Sequence, residues 1–184
     1  MKNTKAIFVS FIFSFLFLNL TGQERLISHD QEKIGIKSGD YLKVDEYKVA
    51  EGTWQWKSAD SVFTLVLRKE KFSIRNDGVY TDILIGRFSF KVGSQYLIDA
   101  ISENSDNLRG VDVGEGSIGK FRILFVDRIK GKNAQGIFEL SPENSNIAYW
   151  EIGNPPGIYV VPEGKKFDPG FSIPTKMTLH RIIE

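Results

Sequence analysis

Between Ser61 and Lys69 apolar and polar positions alternate, with Phe63, Leu65 and Leu67 on one side and Thr64, Val66 and Arg68 on the other. A period of two is that of a strand with one buried face. The alternation returns at Lys71–Arg75 through Phe72 and Ile74. It returns again at Lys120–Ile129, where Phe121, Ile123 and Phe125 oppose Arg122, Leu124 and Val126. Further strands are predicted at Val79–Val92 (bending at Gly86), Gln95–Ser102, Leu108–Val113, Ala134–Leu140, Asn146–Ile152 and Lys176–Ile183. Asn76-Asp77-Gly78 is the strongest hairpin signal, because Asp-Gly readily supplies positive φ. Gly93-Ser94, Gly114–Gly119 and Lys130–Asn133 are further turns. Past the N-terminal segment, Gly, Pro, Asn and β-branched residues interrupt every candidate helix.

Short strands joined mostly by tight turns predict an all-β, antiparallel domain over residues 51–184. Meander-like connections favour an up-and-down barrel, whose closure removes exposed edges. A two-sheet sandwich is the alternative. Residues 23–50 are expected to be a lead-in segment, flexible or loosely docked over Glu24–Gly39, where Ile27, Ile34 and Ile36 are isolated among polar neighbours. From Gly153 to Pro174, repeated Pro and Gly predict a rigid, irregular excursion, long for a loop.

The N-terminus has another pattern. Lys2 and Lys5 precede the 13-residue, almost continuously apolar run Ala6–Leu18, followed by Asn19, Thr21 and Gly22. The run is shorter than the roughly 18 residues of a membrane span. It predicts a signal peptide over residues 1–22, cleaved between Gly22 and Gln23. The mature protein is then expected to be extracytoplasmic, in the periplasm or the medium, with no membrane span after cleavage. Cleavage shifts the net charge from +1 to −1 by removing two lysines. Near-neutrality argues against nucleic acid as a partner. The absence of cysteine excludes a disulfide framework, a thiolate nucleophile, an iron–sulfur cluster and a Cys-linked lipid anchor. Stability must come from the core, and the length is sufficient for a sizeable one.

Two blocks carry a resemblance. One is Gly39-Asp40-Tyr41-Leu42-Lys43 with Glu51-Gly52-Thr53-Trp54-Gln55-Trp56. The other is Asn154-Pro155-Pro156-Gly157 with Pro169-Gly170-Phe171-Ser172-Ile173-Pro174-Thr175-Lys176-Met177-Thr178-Leu179. With the signal ending before Gln, they resemble an uncharacterised domain-of-unknown-function family of small secreted Bacteroidetes proteins. The resemblance implies location and domain extent, and no activity. A fainter likeness is to lipocalin-type barrels, where a Gly-x-Trp opens the first strand and an Arg on the last strand covers the Trp. It implies barrel closure by Gly52, Trp54 and Arg181.

Candidate chemistry is sparse. Gly114-Glu115-Gly116-Ser117-Ile118-Gly119 matches a dinucleotide fingerprint in letters only, because a strand rather than a helix is expected to follow. His29 and His180 have no ligand spacing, and no nucleophile elbow is present. Asn104, Asp106, Asn107 and Asp112 read as Asx turns rather than a calcium loop. No cofactor, metal or catalytic residue is expected, and the protein is read as non-enzymatic. Trp54, Trp56 and Trp150 are either packing residues or, if the barrel is wide enough, the lining of a cavity inside it for a small apolar ligand. The alternative function is a cell-envelope protein–protein interaction module that uses the 153–174 segment.

Overall fold

The alternating segments bury the face that their pattern marks. Along Lys120–Asp127, Phe121, Ile123, Phe125 and Asp127 are buried, while Arg122, Leu124 and Val126 are exposed. The structure, a computed structural model, describes residues 25–27, 35–76, 78–112, 119–157, 164 and 166–183. The expected signal peptide, His29 and Gly114–Ile118 lie outside the described residues.

The strands are β1 (Arg25–Ile27), β2 (Asp40–Leu42), β3 (Gly52–Ser58), β4 (Ser61–Arg75), β5 (Val79–Val92), β6 (Gln95–Asp99), β7 (Leu108–Asp112), β8 (Lys120–Asp127), β9 (Lys132–Leu140), β10 (Ile147–Gly153) and β11 (Lys176–Ile182). A short 3₁₀ helix spans Asp45–Val49. Eight strands form a closed antiparallel barrel, running β3-β4-β5-β7-β8-β9-β10-β11 and back to β3. The expected meander is therefore present with one detour. β6 folds back on the end of β5 and is not one of the eight, though its Ile98 joins the core, and β7 takes the same edge of β5 further along, from Gly86 to Leu84.

Two expectations need correction. Ser61–Lys69 and Lys71–Arg75 are one strand, because Lys69, Glu70 and Lys71 stay in the ladder opposite Leu84, Ile83 and Asp82. The lead-in is also not loose where it is described. β2 joins β5 in parallel and β1 joins β2 in parallel, pairings that an antiparallel meander does not contain. Tyr47 of the 3₁₀ turn and Ala50, which caps it, belong to the barrel's core, with the Tyr47 ring 5.7 Å from Phe121.

The barrel's centre is filled by rings. Trp54 meets Phe138 at 5.2 Å, and Phe63 meets both Phe88 and Trp150 at 5.4 Å. Phe125 lies 5.6 Å from Phe88 and 6.3 Å from Trp150. Eight strands enclose a space that side chains of this size fill. The chain backbone is also drawn close: a Cβ on Gly136 would lie 2.7 Å from Ile152 Cα and closer still to the Glu151 carbonyl oxygen.

The two ends are closed differently. At one end sits the 3₁₀ turn. At the other, the described part of the 153–174 excursion straps across, with Ile173 in the core and Phe171 6.1 Å from Phe125. Asp127, fully buried, fastens the strap by accepting from the Ser172 backbone N–H (2.7 Å) and hydroxyl (2.8 Å). The same carboxylate accepts from the Ile129 and Lys130 N–H groups at 3.1 Å.

Candidate functional site

The seam between β3 and β11 brings Gly52, Trp54 and Arg181 together. Arg181 pairs with Trp54 in register, and its guanidinium carbon lies 4.2 Å from the Trp54 ring centroid. Its two terminal nitrogens donate to the carbonyls of Glu51 and Val49. Burial lowers the guanidinium from its ordinary value. Trp54 Nε1 donates to the Ala50 carbonyl at 2.9 Å, so the indole ties the 3₁₀ turn to the barrel. Gly52, with φ +123°, leaves room for the arginine: a Cβ there would lie 3.0 Å from Arg181 Nη1. The three residues thus meet where the first and last strands of the barrel pair.

Trp54 is not available to a ligand, since it is fully buried, with Arg181 over its ring and Phe138 in edge contact. Trp56 and Trp150 are placed differently. The β3–β11 ladder contains only Thr53–Ile182, Trp54–Arg181 and Gln55–His180. Beyond Gln55 the two strands are no longer paired with each other, although β3 stays paired with β4 to Ser58 and β11 with β10 to Lys176. A cleft of about 470 Å³ lies there, lined by Trp56, Tyr149, Trp150, Met177 and Thr178, with Glu151 and Lys176 also on it. Those last two form an exposed ion pair at 2.7 Å. By alternation, Trp56, Trp150 and Met177 belong to the core face and Tyr149 and Thr178 to the outer face, so the cleft interrupts the wall. Trp150 is 1% exposed, and its Nε1 has no acceptor. An indole N–H is a donor only, and burying it without an acceptor costs about 1–3 kcal/mol.

A second, larger concavity of about 670 Å³ lies outside the barrel, bounded by β4, β5, β7, β8 and β9. Ile83 and Ile85 form part of its lining; they alternate with Leu84, which belongs to the core cluster, and neither isoleucine does. Asn107 also lines it, and both side-chain polar atoms are buried without a partner.

A buried carboxylate stands at the hairpin beyond the barrel floor. Asp82 accepts from the Tyr41 hydroxyl, from Lys69 Nζ at 2.9 Å and from the Val44 N–H at 2.9 Å. Burial alone would raise its pKa, but these hydrogen bonds and the Lys69 charge outweigh it, and the carboxyl lies below its ordinary value. Every partner belongs to β2, the residue before the 3₁₀ turn, or β4, so the cluster holds the β2 segment against the barrel.

The remaining sequence candidates are placed as follows. His180 is exposed on the outer face of β11. Arg68 holds Asp106 with two bonds of 2.8 Å, and Asn104 accepts from Arg87. Among the described residues no group of three or more His, Asp or Glu could hold a metal ion, and no helix is long and apolar enough to cross a membrane.

A family model described as a "Family of unknown function (DUF6705)" matches residues 1–118. The match spans β1 to β7, so it takes in Trp56 and Asn107 but not Trp150 or Met177. No curated protein and no solved structure matches the chain.

Proposed function

Since the chain belongs to DUF6705, a family of unknown function, its activity is read from geometry, and we propose that it is an exported, non-catalytic binding protein for a small, largely apolar ligand. The ligand site is the cleft between β3 and β11, not the barrel centre. The rings at the centre leave it no room, with neighbouring centroids 5.2–6.3 Å apart. The single observation behind this reading is Trp150, which lines the cleft while its indole N–H is buried without an acceptor. An apolar ligand carrying one acceptor oxygen would satisfy it while covering Trp56, Tyr149 and Met177. The volume falls within the ~300–1,000 Å³ of small-molecule sites. Export rests on the N-terminal charge and hydropathy pattern alone.

Calorimetric titration with fatty acids, aromatic ketones and matched hydrocarbons tests this. The expected result is binding of an acceptor-bearing compound that weakens about tenfold in Trp150→Phe, one hydrogen bond's worth. Hydrocarbon binding should be unchanged. Failure of every compound, or equal affinity in both proteins, overturns the reading.

A further inference from the structure

We infer that the outer concavity beside Asn107 is a second site, a docking groove for an extended, uncharged peptide segment of a partner protein. It is distinct from the β3–β11 cleft and does not rest on it. Asn107 is 6% exposed, and neither Nδ2 nor Oδ1 has a partner. Leaving both ends of a buried carboxamide unmatched is costly, so such groups are almost always paired. A donor and an acceptor on one edge match both ends at once, the acceptor accepting from Nδ2 and the donor donating to Oδ1. The C=O and N–H of a single residue in an extended segment point the same way and supply that pair. Asn133 and Gln135 bring two more carboxamides to the same lining.

The surroundings favour a peptide over the other classes. Leu124 and Val126, both exposed, provide apolar seats for alternate side chains of an extended segment, and Ile83 and Ile85, buried but outside the core cluster, add apolar lining. Sugars commonly need an aromatic face, but the Phe72 ring is covered by Arg109 at 4.9 Å. The charges around the groove balance: Arg68 and Arg109 against Glu70 and Asp106, with Arg68 bonded to both acids. A neutral rim offers nothing to an anionic lipid surface or to nucleic acid.

The test uses the isotope-labelled protein and a capped apolar tetrapeptide, N-acetyl-Val-Leu-Val-Leu-amide, at millimolar concentration. Binding should move the Asn107 side-chain amide resonances. An analogue with a central ester in place of one amide should bind about tenfold more weakly. Asn107→Leu should abolish the peptide's effect yet unfold at the same or higher denaturant concentration than the parent, since it removes an unmatched polar group. Four results overturn the inference: an unmoved Asn107 amide, undiminished peptide binding by Asn107→Leu, a destabilised Asn107→Leu, or a dimer of the protein that this substitution breaks. The first two remove the ligand, the third returns the amide to a structural role, and the fourth makes a second copy the occupant.

Discussion

Truncating Arg181 tests how the barrel is sealed. Arg181→Ala removes a guanidinium 4.2 Å from the Trp54 centroid and its bonds to the Glu51 and Val49 carbonyls. The stacking contributes ~0.5–2 kcal/mol, and each bond from a charged donor ~1.5–3 kcal/mol. Part of the side chain meets solvent, so the low end applies and the expected loss is about 3.5 kcal/mol. For a chain of this size that lowers Tm by roughly 7–14 °C. Trp54→Leu keeps much of the fill but loses the aromatic face and the Nε1 bond to Ala50. Urea unfolding of the parent, both single variants and the double variant isolates the stacking from the carbonyl bonds. The coupling should be about 0.5–2 kcal/mol. A coupling within about 0.3 kcal/mol of zero would show that guanidinium and indole are neighbours without interaction, and the sealing argument would fail.

Gly136→Ala should be among the most damaging substitutions, because its Cβ would meet backbone of β10 rather than a movable side chain; a loss of at least about 3 kcal/mol in urea is expected, and a near-neutral result would refute the close approach. Asp82→Asn should cost on the order of 3 kcal/mol at neutral pH, the low end for breaking a buried pair, since Lys69 retains some solvent. The Asp82 carboxyl lies below its unfolded value when folded, so its stabilisation is complete above that unfolded value, about 3.9, and fades as pH falls through the folded one. Parent and Asp82→Asn stabilities should therefore converge in acid, and parallel pH curves would contradict this. Asp127→Ala should free the strap, seen as faster proteolytic nicking between residues 166 and 175 with the barrel's circular dichroism retained; unchanged resistance would show that Phe171 and Ile173 alone hold it.

The barrel was legible in the sequence because strands with one wet face write their period plainly. β8 and β11 show it residue by residue. What was not legible has physical causes. Three-residue strands and a five-residue 3₁₀ helix are too short for any period, so Asp40–Leu42 and Asp45–Val49 read as polar lead-in although they brace and plug the barrel. Lys69-Glu70-Lys71 looked like an interruption because charges usually leave a strand's buried face. Here the hairpin runs past the barrel floor, and Lys69 finds Asp82 across the pair of strands. Aromatic content could not distinguish a hollow barrel from a packed one; the contacts among Phe63, Phe88, Phe125 and Trp150 do. The unmatched Trp150 N–H and Asn107 amide are defined only by what fails to approach them in space, and no spacing along the chain announces that.

The wall is sealed by β3 against β11, the first and last strands of the barrel. A growing polypeptide emerging from the ribosome can therefore build the β4–β5 hairpin early but cannot complete a cylinder until residues 176–182 have cleared the exit tunnel. Until then the half-made sheet keeps two raw margins and an uncovered aromatic interior. That is a window in which a holding chaperone has a substrate and in which identical nascent chains can stitch together.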